Sequence, residues 1–217
     1  MGDTKTRIMD AAERLLSEQG FAAGSLRAIT AAAGVNLGAV NYHFRSKKAL
    51  IHAVLARRLE PLNRARLAAL DACETRAGGK PVPLEELLEA FLEPVMSMGK
   101  GGAPFMRLMG MIYSEPTIDI HRIFSAELGP TVQRFLRAFG RTLPGLPPEE
   151  MFWRLFFTVG AMAQTLAAGG VLRFLSGGRC DPLDLAGATT RLIRYSAAGL
   201  NAPVAGRAKK GREQRRA

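Results

Sequence analysis

AITAAAGVNLGAVNYHF, residues 28–44, runs directly into RSKKAL at 45–50, and this stretch holds two short helical patterns separated by a single glycine. Ser25 is a suitable N-cap for a helix from Leu26 to Ala33, with Leu26 and Ile29 on its inner side, and Gly34 supplies a left-handed turn residue at no steric cost. Asn36 caps the next helix, Leu37 to about Phe44, which is two turns long and buries Val40 and Phe44, four residues apart. Ser46 caps a fourth, longer helix that carries Leu50, Ile51, Val54 and Leu55 inward and continues past Pro61, with a kink, toward Leu70. Upstream, Ile8, Ala11, Ala12, Leu15 and Leu16 recur at helical spacing behind a Thr4 cap; Gly20 is expected to stop that helix and Phe21 to pack back under it. Two helices joined by a tight glycine turn, the second short and exposing a distinct outer face, describe a helix-turn-helix.

The ending NYHF-x-SK-x-AL, with the turn before it, resembles the DNA-binding domain of TetR-family transcriptional repressors over roughly residues 6–54. The resemblance implies an all-α homodimer with an N-terminal DNA-binding domain and a larger C-terminal domain that binds a small inducer. In a helix-turn-helix the N-terminal turns of the second helix face the base edges. Here those positions are Leu37, Gly38, Ala39 and Asn41: Leu37 and Ala39 offer apolar contact suited to thymine methyls, Gly38 admits close backbone approach, and Asn41 can pair bidentately with adenine. Ser25, Arg27, Tyr42, His43 and Lys47 are the expected phosphate contacts, Lys47 standing near the positive N-terminus of the fourth helix. Family members usually carry two aromatic residues before the His, whereas this chain has Asn41-Tyr42. Asn41 is therefore expected to read a base rather than a phosphate.

The bulk properties agree. A chain of 217 residues with 47% hydrophobic and only 7% aromatic residues has material for a sizeable core, and without alternating Val, Ile and Thr it favours helices over strands. Thirty Lys/Arg against nineteen Asp/Glu give +11, a balance suited to polyanionic partners. The excess sits at the ends: residues 1–60 hold nine basic and five acidic side chains, and residues 202–217 hold six and one. Two cysteines, Cys73 and Cys180, make no disulfide framework, and neither they nor the three histidines have metal-ligand spacing. Without an apolar signal-peptide core near the start, a cytoplasmic location is expected. Leu155 to Leu172 is uncharged for eighteen residues, but Thr158, Gln164 and Thr165 interrupt it, Gly169-Gly170 should end the helix, and Arg154 and Arg173 flank it. A helix buried at a subunit interface is expected there rather than a membrane span.

The rest of the chain divides by its breaks into three expected units: a DNA-binding domain at 1–50, a helical effector-binding and dimerisation domain at 51–201, and a basic disordered tail at 202–217. Residues 76–83 read as a Gly/Pro linker, Leu84 to Met98 as a helix bent at Pro94, and residues 105–113 and 117–140 as helical with an interruption at Gly129-Pro130. Pro148 opens a long helix to about Ala168, and Asp181-Pro182 opens a last one ending near Gly199.

Five of nine methionines fall between residues 96 and 111, and flexible thioethers adapt to irregular apolar shapes. Met106, Met109, Tyr113, His121, Phe124 and Phe156 are the candidates to line a site for an apolar or amphipathic ligand, with Arg107 and Arg122 as further polar anchors; ordinary core packing is the competing account of each. Phe152, Leu155, Phe156, Val159, Ala163 and Leu166 are the candidate dimer contacts on the helix from Met151 to Ala168, with Leu183 to Ala198 completing a four-helix interface. No Ser-His-Asp, HExxH, P-loop or GxGxxG arrangement proposes a reaction, so an enzyme, a cofactor and a metal are not expected. The function expected is a homodimeric repressor on pseudo-palindromic operator DNA, released by a small apolar or amphipathic molecule. A regulator whose ligand strengthens DNA binding, or a membrane-associated structural helical protein, are the alternatives.

Overall fold

The computed structural model describes residues 3–98, 102–114 and 125–204, and within them regular structure is entirely helical. The N-terminal head comprises α1 (Thr4–Ala23), α2 (Leu26–Ala33), α3 (Leu37–Phe44) and the start of α4 (Lys47–Ala77). Beyond it come α5 (Leu84–Met96), α6 (Gly102–Ser114), α7 (Gly129–Thr142), α8 (Pro148–Ala167), α9 (Gly169–Leu175) and α10 (Leu185–Asn201).

The local signals act as their chemistry requires. Ser25, Asn36 and Ser46 each accept a hydrogen bond from the backbone N–H three residues on, that of Ala28 (3.1 Å), Ala39 (2.9 Å) and Ala49 (3.1 Å). Gly34 is left-handed at φ 63°, and its N–H donates to the Ala31 carbonyl. Two expectations at the N-terminus are corrected. Asp3 holds the N-cap position of α1 without a side-chain cap and Thr4 is already helical. The helix also runs through Gly20 to Ala23 and ends at Gly24. An interior glycine costs a helix only about 1 kcal/mol, and α1 packs against both α4 and α6.

α4 crosses residues 50 and 51 without a break, so the head and the C-terminal helices share one 31-residue rod. Pro61 lies inside it. The missing N–H at Pro61 is tolerated because Leu59, Leu62, Leu70 and Cys73 are buried on either side. α5 is the centre of the C-terminal domain: Leu87, Leu88 and Leu92 are fully buried, and the helix packs on α4, α7, α8 and α10.

α8 ends at Ala168, and α9 leaves at 80° to it. The glycine pair thus redirects the chain into a further short helix. No single helix among the described residues is long and apolar enough to cross a membrane; α8 and α9 would do so only as a bent pair. The last helix begins later than expected, because Asp184 rather than Asp181 caps it, accepting from Gly187 N–H at 2.9 Å. Asp181 instead turns the chain by accepting from Leu183 N–H. Most of the basic tail, residues 205–217, lies outside the described residues.

Candidate nucleic-acid interface

Val40 and Phe44 anchor α3 into the head, together with Ile8, Ala12, Ile29 and Leu50, and this determines which residues α3 presents outward. Leu37, Gly38, Asn41 and Tyr42 are exposed, Tyr42 at 84%. Ala39 is half-buried and packs partly on the core, so its methyl is less available to a base than that of a fully outward residue. His43 is half-buried, with Tyr42 edge-on to it at 5.0 Å between ring centroids. Ser25 and Arg27 lie exposed at the start of α2, and Lys47 is the first residue of α4. A Cβ at Gly38 would come 3.2 Å from Asn36 Oδ1, the cap oxygen of the same helix, so a larger residue there would crowd the cap.

One backbone feature of this region was not expected. Arg45, between α3 and α4, has φ 63° and ψ −30°, and Ser46 N–H donates to the Phe44 carbonyl at 2.7 Å. This is a three-residue turn in a region costly for a side-chain-bearing residue, of order 1–3 kcal/mol. It reverses the chain so that Ser46 can cap α4 immediately after α3. The sequence signal was weak, because an arginine carries none of the turn preference of glycine or asparagine.

The head is fastened to the rest by charge and by packing. Glu13 of α1 accepts from both Arg57 (2.7 Å) and Arg58 (2.6 Å), and Arg57 also donates to Asp10 (2.6 Å). Partial burial alone would lower the pKa of Arg57, but the two carboxylates outweigh it and hold the guanidinium above its ordinary value. Asp10, Arg57 and Arg58 wall a cleft of about 630 Å³ between α1, α4 and α5, whose far side carries Glu93, Pro94 and Met98. Arg107, expected as a ligand anchor, instead donates to the Ser17 carbonyl at 3.3 Å and ties α6 to α1.

The other candidates divide. Met109 is buried and Met106 half-buried on α6, beside Phe105 and Leu108 in the core. His121, Phe124, Arg122 and the side chain of Tyr113 lie outside the described residues. Phe156, expected to serve both ligand and dimer, is 68% exposed and does not line the protomer interior. The candidate dimer residues occupy two faces of α8. Leu155, Val159 and Leu166 pack on the core with Met151 and Met162, and Ala163 is half-buried, whereas Phe152 and Phe156 point outward. Helical spacing adds Trp153 and Phe157 to that outer face, stacked with ring centroids 5.7 Å apart. Leu172, Phe174 and Leu175 of α9 and Tyr195 of α10 are exposed as well.

Comparison with known proteins agrees with this geometry. Residues 8–54 match the family described as bacterial regulatory proteins, tetR family, and residues 85–199, just over half of the chain, match the tetracyclin repressor-like C-terminal domain. The HTH-type transcriptional regulator UidR of Escherichia coli K12 is 42% identical over 52 residues, 24% of this chain and 26% of that protein. SrpR of Pseudomonas putida is 43% identical over 60 residues, 28% of each chain. The alignments thus span about a quarter of the length of these curated relatives. Among solved structures, the multidrug binding protein EbrR complexed with malachite green superimposes with a TM-score of 0.57 at 21% identity, covering 89% of this chain and 98% of that one. The fatty acid degradation regulator FadR from Bacillus halodurans gives a TM-score of 0.61 at 12% identity, covering 92% and 99%. With a helix-turn-helix head at one end and the matching C-terminal domain at the other, the chain belongs to the tetR family of DNA-binding transcriptional regulators and is not an enzyme.

Proposed function

We propose that the protein is a cytoplasmic, homodimeric, ligand-responsive repressor that sits on a pseudo-palindromic operator and is released by a small apolar or amphipathic molecule. The observation that carries this reading is the continuity of α4: one helix holds Lys47 at the head and Leu70 in the core of the C-terminal domain, so a change at either end is felt at the other. α6, with Met106 and Met109, packs directly on α1 and gives a second route. A ligand that favours one arrangement of α4 and α6 shifts the population of head orientations by its differential affinity for that arrangement, and by no more. EbrR, which shares the fold, carries malachite green in its crystal structure, and this supports an apolar or aromatic effector class.

In this reading Leu37, Gly38 and Asn41 meet base edges, with Ala39 a lesser contact, and Ser25, Arg27, Tyr42, His43 and Lys47 meet phosphates. Residues 51–201 serve effector and dimer. The outward aromatic cluster of α8, with the exposed apolar residues of α9 and α10, supports dimerisation, because an exposed apolar patch of this kind marks an interaction surface. Two heads would then address half-sites about one helical turn apart, roughly 34–36 Å.

Selection of bound duplexes from a random pool tests the proposal. The wild type is expected to enrich a palindromic motif that a Tyr42→Ala, Lys47→Ala double variant fails to enrich. Salt-sensitive binding without any enriched motif would overturn it. With a motif in hand, Asn41→Ala should cost about 1–3 kcal/mol at a particular base pair, whereas uniform loss over all operator variants would assign Asn41 to the phosphates.

A further inference from the structure

The C-terminal domain contains a buried cation that, among the described residues, has no carboxylate beside it. Arg66, on the inner face of α4, is only 6% exposed. Its Nε donates to the Phe91 carbonyl at 2.8 Å, and its guanidinium lies 4.3 Å over the Phe91 ring. Among the described residues no carboxylate comes within ion-pair distance, and the hydrogen bond that the guanidinium makes to the protein is that of Nε. Burial pulls its pKa down to about 10, the direction expected when a cation leaves water without a counter-charge. One turn earlier on the same face is Asn63, 8% exposed, whose Nδ2 donates to the Glu127 carbonyl at 2.6 Å. Its Oδ1 is buried without any hydrogen-bond partner.

A buried acceptor without a donor beside an enclosed cation without a carboxylate is costly. A buried acceptor without a donor costs about 1–3 kcal/mol, and an unpaired buried charge costs more. Buried ionic groups are often replaceable by well-packed apolar side chains without loss of stability, and the Phe91 carbonyl engages only the Nε of this guanidinium. The aromatic wall continues from Phe91 to Phe135, 5.2 Å between ring centroids, and on to Phe139. The nearby Glu127 carboxylate is already engaged by His52 Nε2 at 3.0 Å and does not turn to Arg66.

We propose that Arg66 and Asn63 form the polar end of the effector site and that the effector is an amphipathic monocarboxylic acid. Its carboxylate is taken by the terminal nitrogens of Arg66, a hydroxyl or N–H next to it donates to Asn63 Oδ1, and its apolar body lies along Phe91 and Phe135. A single guanidinium matches a single negative charge; a dianion would leave one charge buried and unpaired. This rests on the effector-binding role proposed above for the C-terminal domain.

The test uses the full chain and matched probes: dodecanoate against dodecan-1-ol, and 1-naphthoate against 1-naphthalenemethanol, titrated by calorimetry. Expected is an acid bound at least about tenfold more tightly than its alcohol, the order of one charge-assisted hydrogen bond. Arg66→Met should level the pair while leaving alcohol binding unchanged, and its ligand-free Tm should be no lower than that of the wild type. Arg66→Lys, which keeps the charge without the fork, should keep part of the preference. Equal binding of acid and alcohol by the wild type would overturn the acid while sparing the effector domain; binding of neither probe in both pairs counts against both readings. Arg66→Met that unfolds, or that retains the preference, would make Arg66 a structural residue and sink the proposal.

Discussion

Phe156→Ala separates an interface from a surface decoration. The side chain is 68% exposed in the protomer. Full burial of a phenylalanine yields about 1.5–3 kcal/mol, so about 1–2 kcal/mol per side chain is still to be gained on association. Two-fold symmetry brings both copies into one interface, which doubles the loss to about 2–4 kcal/mol and raises the dimer dissociation constant about 30-fold to about 1,000-fold. Sedimentation equilibrium over a range of concentrations measures that constant. Trp153, the chain's one tryptophan, stands 6.4 Å from Phe156 between ring centroids and is 54% exposed, so its emission should move to the blue as dimer forms and the variant should delay that shift to higher concentration. Val132→Ala, at an exposed residue of α7, should change neither quantity. An unchanged dissociation constant in Phe156→Ala would refute the assignment of this strip to the dimer.

The head offers two stability tests and α10 a third. Asn36→Ala removes the acceptor for Ala39 N–H and should cost about 1 kcal/mol, or about 2–4 °C in Tm, while Asn36→Asp should retain the stability. Gly34→Ala places a Cβ at φ 63° and 2.9 Å from Arg7 Nη2, which donates to the Ala33 and Gly34 carbonyls; a loss of about 1–2 kcal/mol in urea unfolding is expected, and an unchanged midpoint would contradict the turn geometry. The Asp184 carboxylate is held below its ordinary range by the Gly187 N–H and then by Arg191, so its contribution is present above the ordinary aspartate pKa of about 3.9 and is lost as pH falls through the lower folded value. Asp184→Asn should keep the cap and flatten that acid limb of Tm against pH.

The head was legible because its determinants are local. A cap reaches three residues along the chain and a left-handed turn needs one glycine, so Ser25, Gly34, Asn36 and Ser46 could be read without knowing what lies across the core. Where two local signals compete, sequence does not choose: Asp181 and Asp184 both accept from backbone N–H groups, and only the one followed by a packed helix becomes its cap. Arg45 was illegible for the opposite reason, since its turn is enforced by the burial of Phe44 and Leu50 on either side rather than by its own preference.

The C-terminal helices failed in a more instructive way. α8 is apolar almost all round, so period alone does not separate the stripe of Met151, Leu155, Met162 and Leu166 facing the core from the stripe of Phe152, Trp153, Phe156 and Phe157 facing away. α4 shows the converse: Asn63 and Arg66 carry no local signal of burial, and only the arrival of α5 and the segment at Glu127 encloses them. A natural sequence whose local pattern agrees with its fold nearly everywhere departs from it where something else is served. Here the departures have opposite sign, apolar side chains left outside and polar ones enclosed. Each is costly to the isolated protomer, and the two proposals made above would each relieve one of them: a second copy of the chain the first, a small acid the second.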